Sequence, residues 1–150
     1  MCGRYSLHAT PSTLSDRFGV AFPEDFEPRY NCATGQELPV ITDGGEVRRM
    51  EWGFTPSWAD ESFDLINARA ETVAEKRSFA DAYESRRCLV PATGFYEWTN
   101  RGEGKRPYRV AFEDDRPFAM AGIHERWRPA TRQAGPGEVG ADGETDDQPR

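Results

Sequence analysis

Four short runs rich in apolar, aromatic and β-branched residues follow one another at 88–92, 94–99, 108–112 and 118–123. The connections between them are polar and brief, among them Asn100-Arg101-Gly102 and Asp114-Asp115-Arg116, which leaves little chain for anything except strands running back and forth. A further hairpin is predicted upstream, with strands at 38–42 and 46–54 around the turn Asp43-Gly44-Gly45. Helical signals are fewer. Thr10-Pro11 reads as an N-cap followed by proline at the first helical position, Leu14 and Phe18 fall on one face, and Gly19 stops the turn. Residues 73–85 are expected to be helical, with Phe79 and Tyr83 spaced for burial, and 55–65 to be a loop. Strands outnumber helices and no segment repeats, so the predicted class is α+β with a mostly antiparallel sheet.

A chain of 150 residues can build one core without disulfides or metals. No apolar run approaches the roughly 20 residues of a spanning helix, and Met1-Cys2-Gly3-Arg4 is not followed by an apolar stretch. No membrane partner is expected, and the cytoplasm is the default location. Residues 131–150 hold five acids against Arg132 and Arg150, four glycines, two prolines and no aromatic residue. The expectation is one domain over 1–130, then an acidic Gly/Pro-rich disordered tail or insertion loop over 131–150. The net charge of −7 argues against a binder driven by bulk positive charge. Arginines nevertheless cluster at Arg48-Arg49, Arg86-Arg87 and Arg126/Arg128, compatible with a local basic groove. Cys2, Cys32 and Cys88 form no CxxC pair, and only His8 and His124 could complete a zinc set. Neither a metal nor any other cofactor is expected.

Three segments could carry chemistry. Cys2 becomes the first residue if the initiator methionine is removed, and its amine (pKa about 7.7–8.0) then sits beside a thiol of about 8.5. Such a 1,2-aminothiol condenses with an aldehyde to an imine and closes to a thiazolidine. Were residues 2–4 extended, Arg4 would share a side with Cys2 and favour the thiolate. Cysteine at position two also arises without function. In Ile66-Asn67-Ala68-Arg69-Ala70-Glu71-Thr72, an extended backbone would line Asn67, Arg69 and Glu71 on one face. Ala68 and Ala70 would then lie against tightly packed backbone; a solvated face with a helix N-cap at Thr72 is the other reading. In Thr93-Gly94-Phe95-Tyr96-Glu97-Trp98, Glu97 is either a partly dry carboxylate suited to proton transfer or one paired across strands with Arg or Lys. Trp52, Phe54 and Trp58 are core residues or, if exposed, stacking surfaces for bases. His124 is read as structural.

Cys2-Gly3-Arg4-Tyr5, Arg29-Tyr30-Asn31, Trp52-Gly53-Phe54, Ile66 to Thr72 and Arg87-Cys88-Leu89-Val90-Pro91 through Trp98 occur in this order. The ordered set, spanning residues 2–127, resembles the SOS-response-associated peptidase (SRAP) family of abasic-site processing proteins. The resemblance implies a barrel-like, mostly antiparallel fold with flanking helices. It also implies binding of single-stranded DNA at abasic sites, and capture of the ring-opened sugar as a thiazolidine crosslink by the mature N-terminal cysteine. Cys2 would be the nucleophile, Asn67 would orient the sugar or the amine, and Glu97 would shuttle protons and assist removal of Met1. Arg4, Arg69 and Arg77 match positions that grip phosphates, while Asn31 and Trp58 lie in loops lining the DNA site. A monomer, associated with the nucleoid when on DNA, is expected.

The family domain runs longer than this chain and carries a His-x-Arg-Met-Pro motif in its second half, so a truncated or split domain without that histidine is expected. The stretch His124-Glu125-Arg126-Trp127-Arg128-Pro129 is read as a chance likeness, and Thr34 stands where the family often has proline. Two other functions stay open on these residues: a cysteine peptidase acting on other proteins, and a truncated module that binds single strands without a covalent bond.

Overall fold

The computed structural model describes residues 2–100 and 104–129; the expected tail at 131–150 lies outside the described residues. Ten elements follow in order: β1 (Arg4–Leu7), α1 (Pro11–Phe18), β2 (Arg29–Ala33), β3 (Glu37–Thr42), β4 (Val47–Glu51), α2 (Ala80–Ser85), β5 (Arg87–Ala92), β6 (Gly94–Asn100), β7 (Lys105–Val110) and β8 (Phe118–Ile123). The strands form two four-stranded sheets, β2-β1-β6-β7 and β4-β3-β5-β8, in which every pairing is antiparallel. The α+β class and its antiparallel character are as the turn pattern predicts. None of the helices among the described residues is long and apolar enough to cross a membrane.

Local chemistry accounts for several boundaries. The Thr10 hydroxyl accepts from the Thr13 amide at 3.2 Å, Pro11 fills the first position of α1, and Gly19 ends it in the left-handed conformation at φ 66°. At the β3–β4 turn, Thr42 N–H donates to the Glu46 carbonyl at 2.9 Å. β5 and β6 are almost one strand, interrupted at buried Thr93, so each half joins a different sheet.

The main core gathers on β1. Tyr5 and Leu7 are buried with Leu14 of α1, Phe22, Phe26, Cys32, Leu38 and Ala92, and Phe22 meets Phe26 edge-on. A second cluster joins Phe54, Val73, Phe79 and Ala82 beneath Leu65 and Ile123. Between β1, β6 and β7 runs a polar seam. Arg109 donates to Ser6 Oγ at 3.2 Å, to the Thr93 carbonyl at 2.9 Å and to Asp115 at 2.8 Å. Thr93 Oγ1 lies 2.7 Å from His8 Nδ1. Gly94 makes room for this seam, because a Cβ there would fall 2.7 Å from Arg109 Nε.

The structure corrects several expectations. Helix α2 occupies only 80–85; residues 70–75 and 77–79 form turns in which the Thr72 carbonyl, not its hydroxyl, accepts from the Glu75 and Lys76 amides. Phe79 is buried as expected, but Tyr83 points to solvent and Ala82 takes the inner position. The second hairpin strand stops at Glu51 because Gly35 and Gln36 exchange backbone hydrogen bonds with Trp52 beyond it. Residues 29–33 form a strand that periodicity did not mark, and β7 begins earlier than 108, pairing Lys105 with Asn100.

Candidate functional site

Cys2 stands just ahead of β1 and half-buried against its core cluster. Its Sγ donates to the Arg4 carbonyl at 2.9 Å, so the thiol is turned onto its own strand. Burial pushes the thiol pKa up; backbone hydrogen bonds at Arg4 and Tyr96 partly oppose this, and the Glu97 carboxylate adds to the rise. The extended run over residues 2–4 on which the expected help from Arg4 depended is broken by a bend at Gly3. The Arg4 guanidinium instead donates Nη1 to Asn31 Oδ1 at 2.8 Å.

Asn67 reaches the same residue from a distant segment. Its Nδ2 donates to the Cys2 carbonyl at 2.9 Å across 65 positions of sequence. Two anchors hold the segment in place. Phe54 and Leu65 exchange backbone hydrogen bonds at 2.8 and 2.9 Å, and Trp52 Nε1 donates to the Ile66 carbonyl at 3.0 Å. The Trp52 ring also tilts against Tyr5, with centroids 5.5 Å apart, and so ties the Asn67 segment directly to β1. Ala68 and Ala70 are exposed, so the packed backbone expected behind the polar residues is absent from this segment. Arg69 is exposed, and its carbonyl accepts from the Thr72 amide at 3.1 Å.

Glu97 is half-buried on β6, and its register partner on β7 is Tyr108. β6 lies between β1 and β7, which puts this carboxylate on the strand beside the one that Cys2 precedes. Cys2, Asn67 and Glu97, widely separated in sequence, thus converge at the head of β1: Asn67 by a direct hydrogen bond and Glu97 by its charge on the thiol.

The remaining sequence-predicted residues fall into two pairs and one single. Arg4 and Asn31 are joined as described, and Asn31 belongs to β2, not to a loop. Arg77 lies over the Trp58 ring with its guanidinium carbon 4.4 Å from the centroid, and Phe63 meets that ring edge-on at 5.6 Å. Trp58 is 42% exposed, so it is a surface residue and not part of the core, whereas Phe54 is buried. Arg69 stands alone on the surface between them in sequence. His124 belongs elsewhere: it sits after β8 among Arg86, Asp43, Glu125 and Arg48, where burial and Arg86 lower its pKa.

Sequence reasoning missed Trp52 as the anchor of Asn67, and Tyr30 and Tyr96 beside Arg4. The Tyr96 hydroxyl donates to the Tyr30 carbonyl at 2.8 Å. The dense aromatic run at 95–98 was the available signal.

The sequence pattern of the family described as SOS response associated peptidase (SRAP) matches residues 1–140. The abasic site processing protein YoaM of Bacillus subtilis is 38% identical over 137 residues, covering 85% of this chain and 60% of that protein. The abasic site processing protein YedK of Escherichia coli is 33% identical, covering 82% and 59%. The chain thus spans about 60% of the length of these relatives. A crystal structure of a protein from Bacteroides thetaiotaomicron superposes with a TM-score of 0.76 at 32% identity, over 85% of this chain and 62% of that one.

Proposed function

The chain belongs to the SOS response associated peptidase family, and on that premise we propose that it processes abasic sites in DNA by binding the single strand and bonding covalently to the lesion through Cys2. The observation that carries this reading is the convergence of the Asn67 amide and the Glu97 carboxylate on the one residue that can become an N-terminal aminothiol.

The proposed chemistry begins with hydrolysis of the Met1–Cys2 peptide bond, which frees the Cys2 amine. The amine adds to the aldehyde carbon of the ring-opened sugar, and loss of one water leaves an imine. The sulfur then adds to the imine carbon, its proton passes to the nitrogen, and a five-membered thiazolidine results. The hydrolysis consumes one water and releases methionine, the condensation releases one water, and no oxidant or cofactor is consumed. Asn67 restrains the Cys2 backbone, which limits the orientations the amine can adopt. Glu97 serves as proton acceptor and donor for the addition and dehydration steps, and for removal of Met1. A thiol with a raised pKa suits this order of events: the amine attacks first, and the sulfur keeps its proton until ring closure. Arg4, Arg69 and Arg77 supply cations for the phosphates on a chain whose overall charge is negative.

The test is a denaturing gel of the protein with single-stranded DNA carrying one abasic site, run beside Cys2→Ala. A heat-stable shifted band is expected for the wild type and none for the variant. A band from Cys2→Ala would overturn the aminothiol chemistry. Salt-sensitive binding without a band, from protein whose mass lacks Met1, would mean that these residues bind single strands non-covalently. Turnover of an unrelated peptide would point to a general cysteine peptidase.

A further inference from the structure

The register of β2 changes opposite Ser6. Tyr5 pairs with Cys32 and Leu7 with Arg29, so β2 contributes one residue more than β1 across this step. The bulge sends both Tyr30 and Asn31 to the side of the sheet occupied by Arg4 and His8. Asn31 takes the Arg4 guanidinium, and the Tyr30 ring lies parallel to the His8 ring, with centroids 4.9 Å apart and 9° between planes. His8 is held in turn by Thr93, and the Tyr30 backbone by the Tyr96 hydroxyl. Tyr30 is nevertheless 67% exposed, the highest value among the exposed large hydrophobic side chains of the described residues. It is an aromatic ring supported on one face, open on the other, and one residue from the Arg4–Asn31 pair that lies beside Cys2.

We propose that Tyr30 is a stacking platform for the base adjacent to the abasic sugar, on the β2 side of Cys2, with Arg4 beside it for the intervening phosphate. This rests on the DNA-binding reading above and adds an aromatic contact separate from the Trp58–Arg77 pair. A nucleobase is the occupant favoured by this chemistry. A ring held flat by a second ring loses little freedom on stacking, every base presents a π-face, and the neighbouring cation matches the phosphate that accompanies each base. An apolar peptide would have no use for the guanidinium.

The experiment uses fluorescence anisotropy with labelled single strands carrying a tetrahydrofuran abasic analogue, which cannot form an aldehyde and reports binding alone. Tyr30→Ala is expected to weaken binding about tenfold, within the range found for loss of one base–aromatic stack, while Tyr30→Phe binds like wild type. On a strand whose base on the correct side of the lesion is also removed, wild type and Tyr30→Ala should bind equally. Removing the base on the other side should leave the tenfold difference intact. Equal binding of wild type and Tyr30→Ala on the natural strand would overturn the proposal, as would a difference that persists whichever neighbouring base is missing. Crosslinking on a true abasic strand is scored separately: wild type that binds but never crosslinks overturns the covalent chemistry and leaves the platform standing. Wild type that does not bind overturns both.

Discussion

β1 and β7 belong to the same sheet and could hardly differ more. In β1, Tyr5, Ser6 and Leu7 are all buried; in β7 all six residues from Lys105 to Val110 are exposed. β1 is paired on both sides, with β2 and β6, and its inner face meets α1 and the phenylalanines that follow it. β7 is paired on one side, with β6. The contrast teaches where the candidate site gets its rigidity. Cys2 leads directly into the strand that most of the core holds, whereas Glu97 sits on the outer part of β6, where its register partner is Tyr108 of the exposed β7. Arg109 is the exception on the exposed strand, reaching back to Ser6 and Thr93 and stitching the loose side to the tight one.

The contrast breaks if burial does not translate into stability. Leu7→Ala is expected to cost about 2–5 kcal/mol in urea denaturation, because it empties a site packed on all sides. A cost below 1 kcal/mol would show that the core does not depend on β1 as described.

The next largest effect concerns pH. Burial pushes the Cys32 and Cys88 thiols up to about 11. These groups are neutral in the fold where an unfolded chain would begin to ionise near 9, so their contribution is intact below pH 9. It is lost as pH rises toward 11, by about 3 kcal/mol per thiol when the change is complete. A denaturation midpoint followed from pH 8 to 11 should therefore fall, and a Cys32→Ala, Cys88→Ala double variant should fall less. Parallel curves would show that the thiols ionise freely in the native state.

The smallest effects come from β7 itself. Arg109→Met should cost about 1–3 kcal/mol by leaving buried polar groups of the seam short of partners. Val110→Ala, one residue away, should stay within about 0.5 kcal/mol. Equal costs for the two substitutions, read from thermal unfolding, would erase the distinction between the stitch and the strand that carries it.

What could be read beforehand was whatever short-range chemistry decides. Thr10-Pro11 and Gly19 bracket α1, and Asp43-Gly44-Gly45 marks the hairpin, because caps and turns are made by neighbours in sequence. The helix expected at 73–85 shrank to α2 because the segment is shaped by burying Val73, Phe79 and Ala82 against Phe54, a demand that spacing alone did not reveal. The same limit applies at the site. Cys2, Asn67 and Glu97 could each be singled out by type and setting, yet the bond from Asn67 to the Cys2 carbonyl spans 65 positions, and that from Arg4 to Asn31 spans 27. The bulge that exposes Tyr30 left no local trace, since it is a property of how two strands meet.

The sulfur of Cys2 leans on the carbonyl of Arg4. A thiol engaged as a donor, with its ionisation held back, is a poor target for peroxides and alkylating agents, which act on the thiolate. The residue on which the proposed chemistry depends is thereby a weaker target for such reagents than a thiolate would be. Its chemical quiet at rest is a form of shelf life, and the aldehyde, by engaging the amine first, calls on the sulfur only when a five-membered ring is within reach.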